Sequence, residues 1–266
     1  MLKNAWIVAR KELVDHLRDG RALVSAALYT LMGPLVVGLV VFAIGSSSGG
    51  TGVGGGGAGA RIFPVMASVF ALVAAFSGSM SMAIDLVAGE RERRSLLPLL
   101  MNSVSRSEII LGKWLAASVF AVVGLFVNLL AFSAVLALAS PASGGGASLL
   151  LMIPALVMLA LAAAALQILV STMCRSIKEA NTYLSMLIFA VMALGMWLAF
   201  RPQSAEDWWF LAPVAGQQVL LQLGFAKGEL PVLASLVLAA TTAVGTALAL
   251  VYAGKLMRRD AVVYGN

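Results

Sequence analysis

AGERERRSLLPLL, residues 88–100, decides how the chain is laid out. Five consecutive charges, Glu90 to Arg94, end a long apolar run, and four leucines around Pro98 follow them. Charges at that density seek water, so the preceding helix runs out of its apolar surroundings into Glu90–Arg94. A second apolar run begins at Trp114. The stretch is therefore a polar connection between two hydrophobic segments, and the composition says what solvent those segments occupy.

Hydrophobic residues are 61% of the 266 and charged residues 11%, against roughly 45–50% and about 25% in soluble domains. The mean hydropathy is +0.98. These values describe an integral membrane protein of one bundle. The net charge of +6 is distributed for membrane orientation, not nucleic-acid binding. With one cysteine, Cys174, and one histidine, His16, the chain forms no internal disulfide and shows no metal-ligand spacing. The first 20 residues carry charges throughout, unlike a signal peptide, so insertion is expected to rely on the first span.

A bilayer core of ~30 Å needs about 20 apolar helical residues. Six charge-free runs qualify: 22–44, 62–84, 114–139, 149–174, 182–200 and 231–254. The fold class is thus all-α and polytopic, with six transmembrane helices in a single domain, 1–266. With both termini inside, 15 of the 18 lysines and arginines are cytoplasmic, Lys113 among them, and Arg61, Arg201 and Lys227 lie outside. That asymmetry sets the expected orientation. Residues 208–225 are also uncharged, but Pro213, Gly216 and Gln217, Gln218 and Gln222 suit an outer re-entrant or interfacial helix, with Trp208 and Trp209 at headgroup level. Residues 1–21 read as an interfacial elbow helix with a stripe of Leu2, Trp6, Ala9, Leu13 and Leu17, opposite Asn4, Lys11, Asp15, Arg18 and Asp19. The glycine-rich run 46–60 and the shorter 140–147 are flexible connectors, since the first lacks the Gly-Lys-Ser/Thr ending of a phosphate loop.

The 88–105 loop has internal punctuation. Ser95 is placed to cap a short helix with Pro98 in its first turn. Ser105-Arg106-Ser107-Glu108 has capping-box spacing and starts the third helix. Leu96, Leu97, Leu99 and Leu100 cannot all face one bundle from so short a helix. They suit either a protein groove, with Glu90, Arg91, Glu92, Arg93 and Arg94 as its charged rim, or the bilayer surface.

IDLVAGERERRSLLPLL followed by VSRSEIILGK resembles the cytoplasmic signature of ABC-2 family ABC transporter permeases, in particular the sodium-efflux type. WIVARKEL near the start and PVAGQQVLL before the last span are similar to the same group. The resemblance implies that 95–101 is a coupling helix docking into a cytosolic ABC ATPase subunit. That subunit would bind the ATP and Mg, and this chain no cofactor of its own. It also implies a homodimer or pseudo-symmetric heterodimer of permeases in the inner (plasma) membrane, working as an exporter. Arg94-Ser95 stands where the family usually has Gly-Thr, Ser103 where a proline is common, and the glycine linker where many sodium-type members have a large external domain.

Inside the spans the polar residues are mild: Ser77, Ser79 and Ser81, then Asn128, then Gln167 and Ser171. They line a pathway or hydrogen-bond between helices. Asp85, at the cytoplasmic end of the second span, is a boundary charge, a partner for an arginine, or an ion or gating site. Thr241, Gly245 and Ala249 recur every four residues, as at a close helix contact. No nucleophile has a base at readable spacing, so the chain is not expected to be an enzyme. A stand-alone channel, an ion-coupled carrier, and a membrane anchor or assembly factor are the alternatives.

Overall fold

The computed structural model describes residues 2–47, 58–93, 105–139, 146–200, 211–227 and 232–257. The glycine-rich 48–57, Arg94, Ser95, Leu96, Leu97, Leu99 and Leu100, and Trp208 and Trp209 lie outside the described residues. Every regular element among those described is helical. They are α1 (Leu2–Arg18), α2 (Gly20–Ser47), α3 (Ala58–Ala83), α4 (Arg106–Ala139), α5 (Gly146–Met173), α6 (Ile177–Ala199), α7 (Ala215–Lys227) and α8 (Val232–Leu256). α3 continues through a π-helical turn, Ile84–Gly89, into a last turn, Glu90–Glu92. Among the described residues six helices are long and apolar enough to cross a membrane: α2, α3 with its extension, α4, α5, α6 and α8.

α3 is the axis of the bundle, with α2, α4, α5, α6 and α7 packed around it. Its sequence explains why. Ala67, Ser68, Ala71, Ala74, Ala75, Ser79 and Ala83 are all buried, and small residues on several faces let neighbouring backbones come close where lipid supplies no hydrophobic drive. At the crossing of α3 and α4, a Cβ on Gly124 would lie 3.2 Å from the Cα of Gly78. At that of α2 and α3, a Cβ on Gly33 would lie 2.7 Å from the Cβ of Phe70.

Pro34, inside α2, has no N–H to give the carbonyl of Thr30 one turn earlier. Asn128 Nδ2 from α4 donates to that carbonyl at 2.7 Å instead. At the opposite end from the charged loop, Phe63, Phe132 and Phe225 join α3, α4 and α7 edge to face, with centroids 5.9–6.2 Å apart.

Of the two alternatives for 208–225, re-entrant or interfacial, α7 fits the re-entrant one: Leu220 and Leu221 are fully buried, and so are Gln217 and Gln218. Gln217 donates to Thr242 Oγ1 of α8 (2.7 Å), Gln218 to Ser68 Oγ of α3 (2.9 Å) and Gln222 to the Ala199 carbonyl of α6 (3.2 Å). Val214, in the left-handed region at φ 72°, turns the chain into this helix, and its N–H is held by Gln217 Oε1. The three glutamines therefore reach three different helices, which a helix on the bundle surface cannot do.

α1 keeps the outward apolar side expected of an interfacial helix and packs another face on the protein. Ala5, Val8, Ala9, Glu12 and His16 are buried on α4, while Trp6 and Leu17 face outward. The helix thus has three faces, one for protein, one apolar and one charged. In α8 the packing residues are Leu238, Thr242, Thr246, Ala249 and Ala253, whereas Gly245 has nothing within 4 Å of an added Cβ. Spacing by four occurs on two adjacent faces of α8, and only neighbours distinguish them.

Candidate functional site

A groove of about 660 Å³ runs between α2, α3 and α6. Ser77, Ser81 and Asp85 lie on the α3 side, Asn181 and Ser185 on α6, and Tyr29 on α2. Successive steps of four residues bring Ser77, Ser81 and Asp85 onto one face of α3. Asp85 falls in the π-helical turn, and π turns recur at functional sites because the extra residue re-aims side chains. Gly89 in the same turn leaves the carboxylate room: a Cβ there would stand 3.2 Å from Asp85 Oδ1. That oxygen accepts from Arg93 Nη2 at 3.4 Å, so Asp85 is paired with a neighbouring arginine.

Ser79, Asn128, Gln167 and Ser171 are not among the groove's lining residues and tie helices together. Ser79 Oγ donates to Gln167 Oε1 at 2.8 Å, and Gln167 Nε2 donates to the Phe76 carbonyl. Ser171 Oγ accepts the Ala88 N–H at 3.2 Å, which anchors the π turn to α5. Asn128 serves the Thr30 carbonyl. The structure thus brings Ser77, Ser81 and Asp85 together and places Ser79, Asn128, Gln167 and Ser171 elsewhere.

The charged segment at the end of α3 is engaged within the chain. Arg91 Nη1 donates to the Cys174 carbonyl at 2.8 Å, and Glu92 Oε2 accepts the first N–H of α6, from Ile177, at 2.7 Å. Glu90 Oε2 is 2.8 Å from Lys113 Nζ of α4, and the same ammonium donates to the Leu86 carbonyl of the π turn. Lys113 is 0% exposed. In the sequence Lys113 stands only as one of the cytoplasmic charges, with no sign of this role beyond its place seven residues inside a helix whose box begins at Ser105. That box is formed, with Glu108 Oε2 accepting the Ser105 N–H at 2.8 Å and Ser105 Oγ accepting the Glu108 N–H at 3.3 Å.

His16, edge-on to Phe120 at 4.8 Å, belongs to the same end. Burial lowers its pKa, opposed by the charges of Asp85 and Asp19. Among the described residues no three His, Cys, Asp or Glu side chains are grouped to hold a metal.

Cys174 closes α5 beneath this clamp, 1% exposed, with Sγ 3.2 Å from the Val170 carbonyl. Enclosed in this way, the thiol is shielded from reagents in the folded protein. A maleimide should therefore leave the folded protein unmodified from either face of the membrane, and modify it after SDS. Rapid labelling of the native protein contradicts this placement.

Comparison with known proteins places this architecture. The ABC transporter permease protein NatB of Bacillus subtilis (strain 168) is 32% identical over 164 residues, which cover 57% of this chain and 42% of that protein's length. Residues 6–223 match the family described as ABC-2 family transporter protein, a stretch running from α1 into α7. With that match and six membrane-length helices, the chain is a multi-pass membrane protein and belongs to the ABC-2 family of transporter proteins.

Proposed function

We propose that this chain is the membrane-spanning permease subunit of an ATP-driven exporter in the plasma membrane, with both termini in the cytoplasm. The observation that carries the reading is the continuity of α3. One helix presents Ser77, Ser81 and Asp85 to the groove and, a turn later, the anchored segment Glu90–Arg93 that leads into the four leucines. An ATPase docked on residues 95–101 pulls directly on the groove wall. The chain supplies no nucleotide site in this scheme; ATP and Mg are held by the cytosolic partner. The groove faces a second permease, identical or related, so that two grooves enclose one pathway. ATP binding draws the two loops together and changes the packing between subunits, giving two states with different contacts.

The test is co-expression with candidate ABC ATPase subunits from the same genome. Leu96→Ala with Leu100→Ala should lower ATPase co-purification by at least about tenfold, since each truncation removes apolar area worth about 25 cal/mol per Å². Insertion should persist, and the loss should depend little on salt. Undiminished co-purification rejects 95–101 as the coupling element. Transport without any ATPase favours the channel or carrier reading.

A further inference from the structure

We propose that the groove between α2, α3 and α6 takes an amphipathic monovalent cation, with an apolar or aromatic body and one ammonium-type charge. Asp85 is its counter-ion, and Arg93 is the group it displaces. The inference rests on the reading of this groove as the pathway and names its substrate class.

The lining carries the argument. Among the residues lining the groove, Asp85 is the one acidic or basic side chain. Ser77, Ser81, Asn181 and Ser185 offer hydrogen bonds without charge. An anion would meet a carboxylate whose neighbouring arginine, Arg93, is already paired with it, and no lysine or arginine lines the groove itself. A neutral hydrophobe would strip water from a carboxylate and give nothing in return. A bare metal ion would occupy a small fraction of 660 Å³, because oxygen ligands close around it at about 2.0–2.6 Å. Met32, Met80 and Met192 with Tyr29, Phe70 and Phe189 make a wall suited to a larger body. Thioethers adapt to irregular shapes, and aromatic faces attract a cation.

Arg93 already occupies the place such a charge would take. Its guanidinium lies 3.4 Å from Asp85 Oδ1, with both side chains substantially exposed, 64% and 40%. An ion pair of that kind contributes little and is readily exchanged. His16, the other basic group beside Asp85, is biased toward its neutral form by burial. A guest that takes Asp85 therefore releases the Arg93 side chain.

Tetraphenylphosphonium and tetraphenylborate, ions of one shape and opposite charge, test the proposal. The protein is held in nanodiscs in a Cys174→Ser background, with Ser185→Cys as the reporter and empty nanodiscs correcting for lipid partition. Tetraphenylphosphonium should protect Ser185→Cys from maleimide, and tetraphenylborate at least about tenfold less well. Asp85→Asn should weaken the cation about tenfold and erase the discrimination, with Asp85→Glu restoring it. Arg93→Gln should strengthen cation binding. Equal protection by both ions, or an Asp85→Asn protein that binds the cation as before, overturns the substrate class while leaving the groove an occupied site. Weaker cation binding by Arg93→Gln overturns the displacement. If neither ion protects, the cation proposal falls. If maleimide on Ser185→Cys also leaves ATP-driven transport intact, the groove is not the pathway, and the parent reading falls with it.

Discussion

Lys113→Ala should destabilise the protein by about 3–5 kcal/mol, the cost typical of removing one partner from a buried ion pair. Lys113 is wholly enclosed, its ammonium 2.8 Å from Glu90 Oε2 and bonded to the Leu86 carbonyl. Truncation leaves the Glu90 carboxylate and a π-turn carbonyl facing the space the ammonium filled. The double variant Glu90→Gln, Lys113→Met should recover most of the loss, because neutral residues of similar size carry no desolvation penalty for charge. Thermal unfolding in detergent, followed by loss of the monodisperse species, measures all three proteins. A Lys113→Ala protein that melts with the parent removes the pair from the account. The same physics governs charge reversal here. Glu90→Lys with Glu92→Lys sets an ammonium against the buried Lys113 and takes the acceptor from the Ile177 N–H. Its first effect should be on folding, ahead of any effect on a docked partner.

Gly112→Val should detach α1 while sparing the rest of the bundle. A Cβ on Gly112 would sit 2.7 Å from the Ala5 carbonyl oxygen and 2.7 Å from the Val8 Cβ. A backbone oxygen cannot swing aside as a side-chain tip can, so the whole helix has to move, and valine adds two further methyl groups. What α1 then loses is the burial of Ala5, Val8 and Ala9, the Asn4–Glu108 hydrogen bond of 3.3 Å and the His16–Phe120 contact. Such a set is worth about 3 kcal/mol from buried area and one hydrogen bond. Hydrogen exchange across residues 2–18 should therefore accelerate about 100-fold, with α5 and α8 unchanged. Gly112→Ala should fall between. An α1 that stays protected in Gly112→Val would mean that α4 yields instead, which its packing on α2, α3 and α5 resists.

The spans and the capping box were readable because they are local properties. A charge-free run carries its hydropathy wherever it packs, and Ser105 lies within reach of Glu108 as soon as the first turn forms. α4 and α6 nevertheless begin eight and five residues before their charge-free runs, at Arg106 and Ile177. A helix continues through charges whose ends find water or a partner, so apolar length measures the crossing and not the helix. The site was half readable. Ser77 and Ser79 look alike in sequence, yet one lines the groove and the other bonds to Gln167, 88 residues away. Pro34 announced an unserved carbonyl at Thr30, but nothing near it named Asn128 as the donor.

The sequence by itself determined the six apolar helices, the charged connection after α3 and the start of α4, since each follows from hydropathy or from residues within one turn. Only the tertiary structure decided that α7 sits inside the bundle, that Lys113 is enclosed against Glu90 and Leu86, and that Asp85 looks into a groove. Those outcomes depend on which faces of distant helices meet, and on hydrogen bonds that a low-dielectric interior requires but that sequence spacing does not assign.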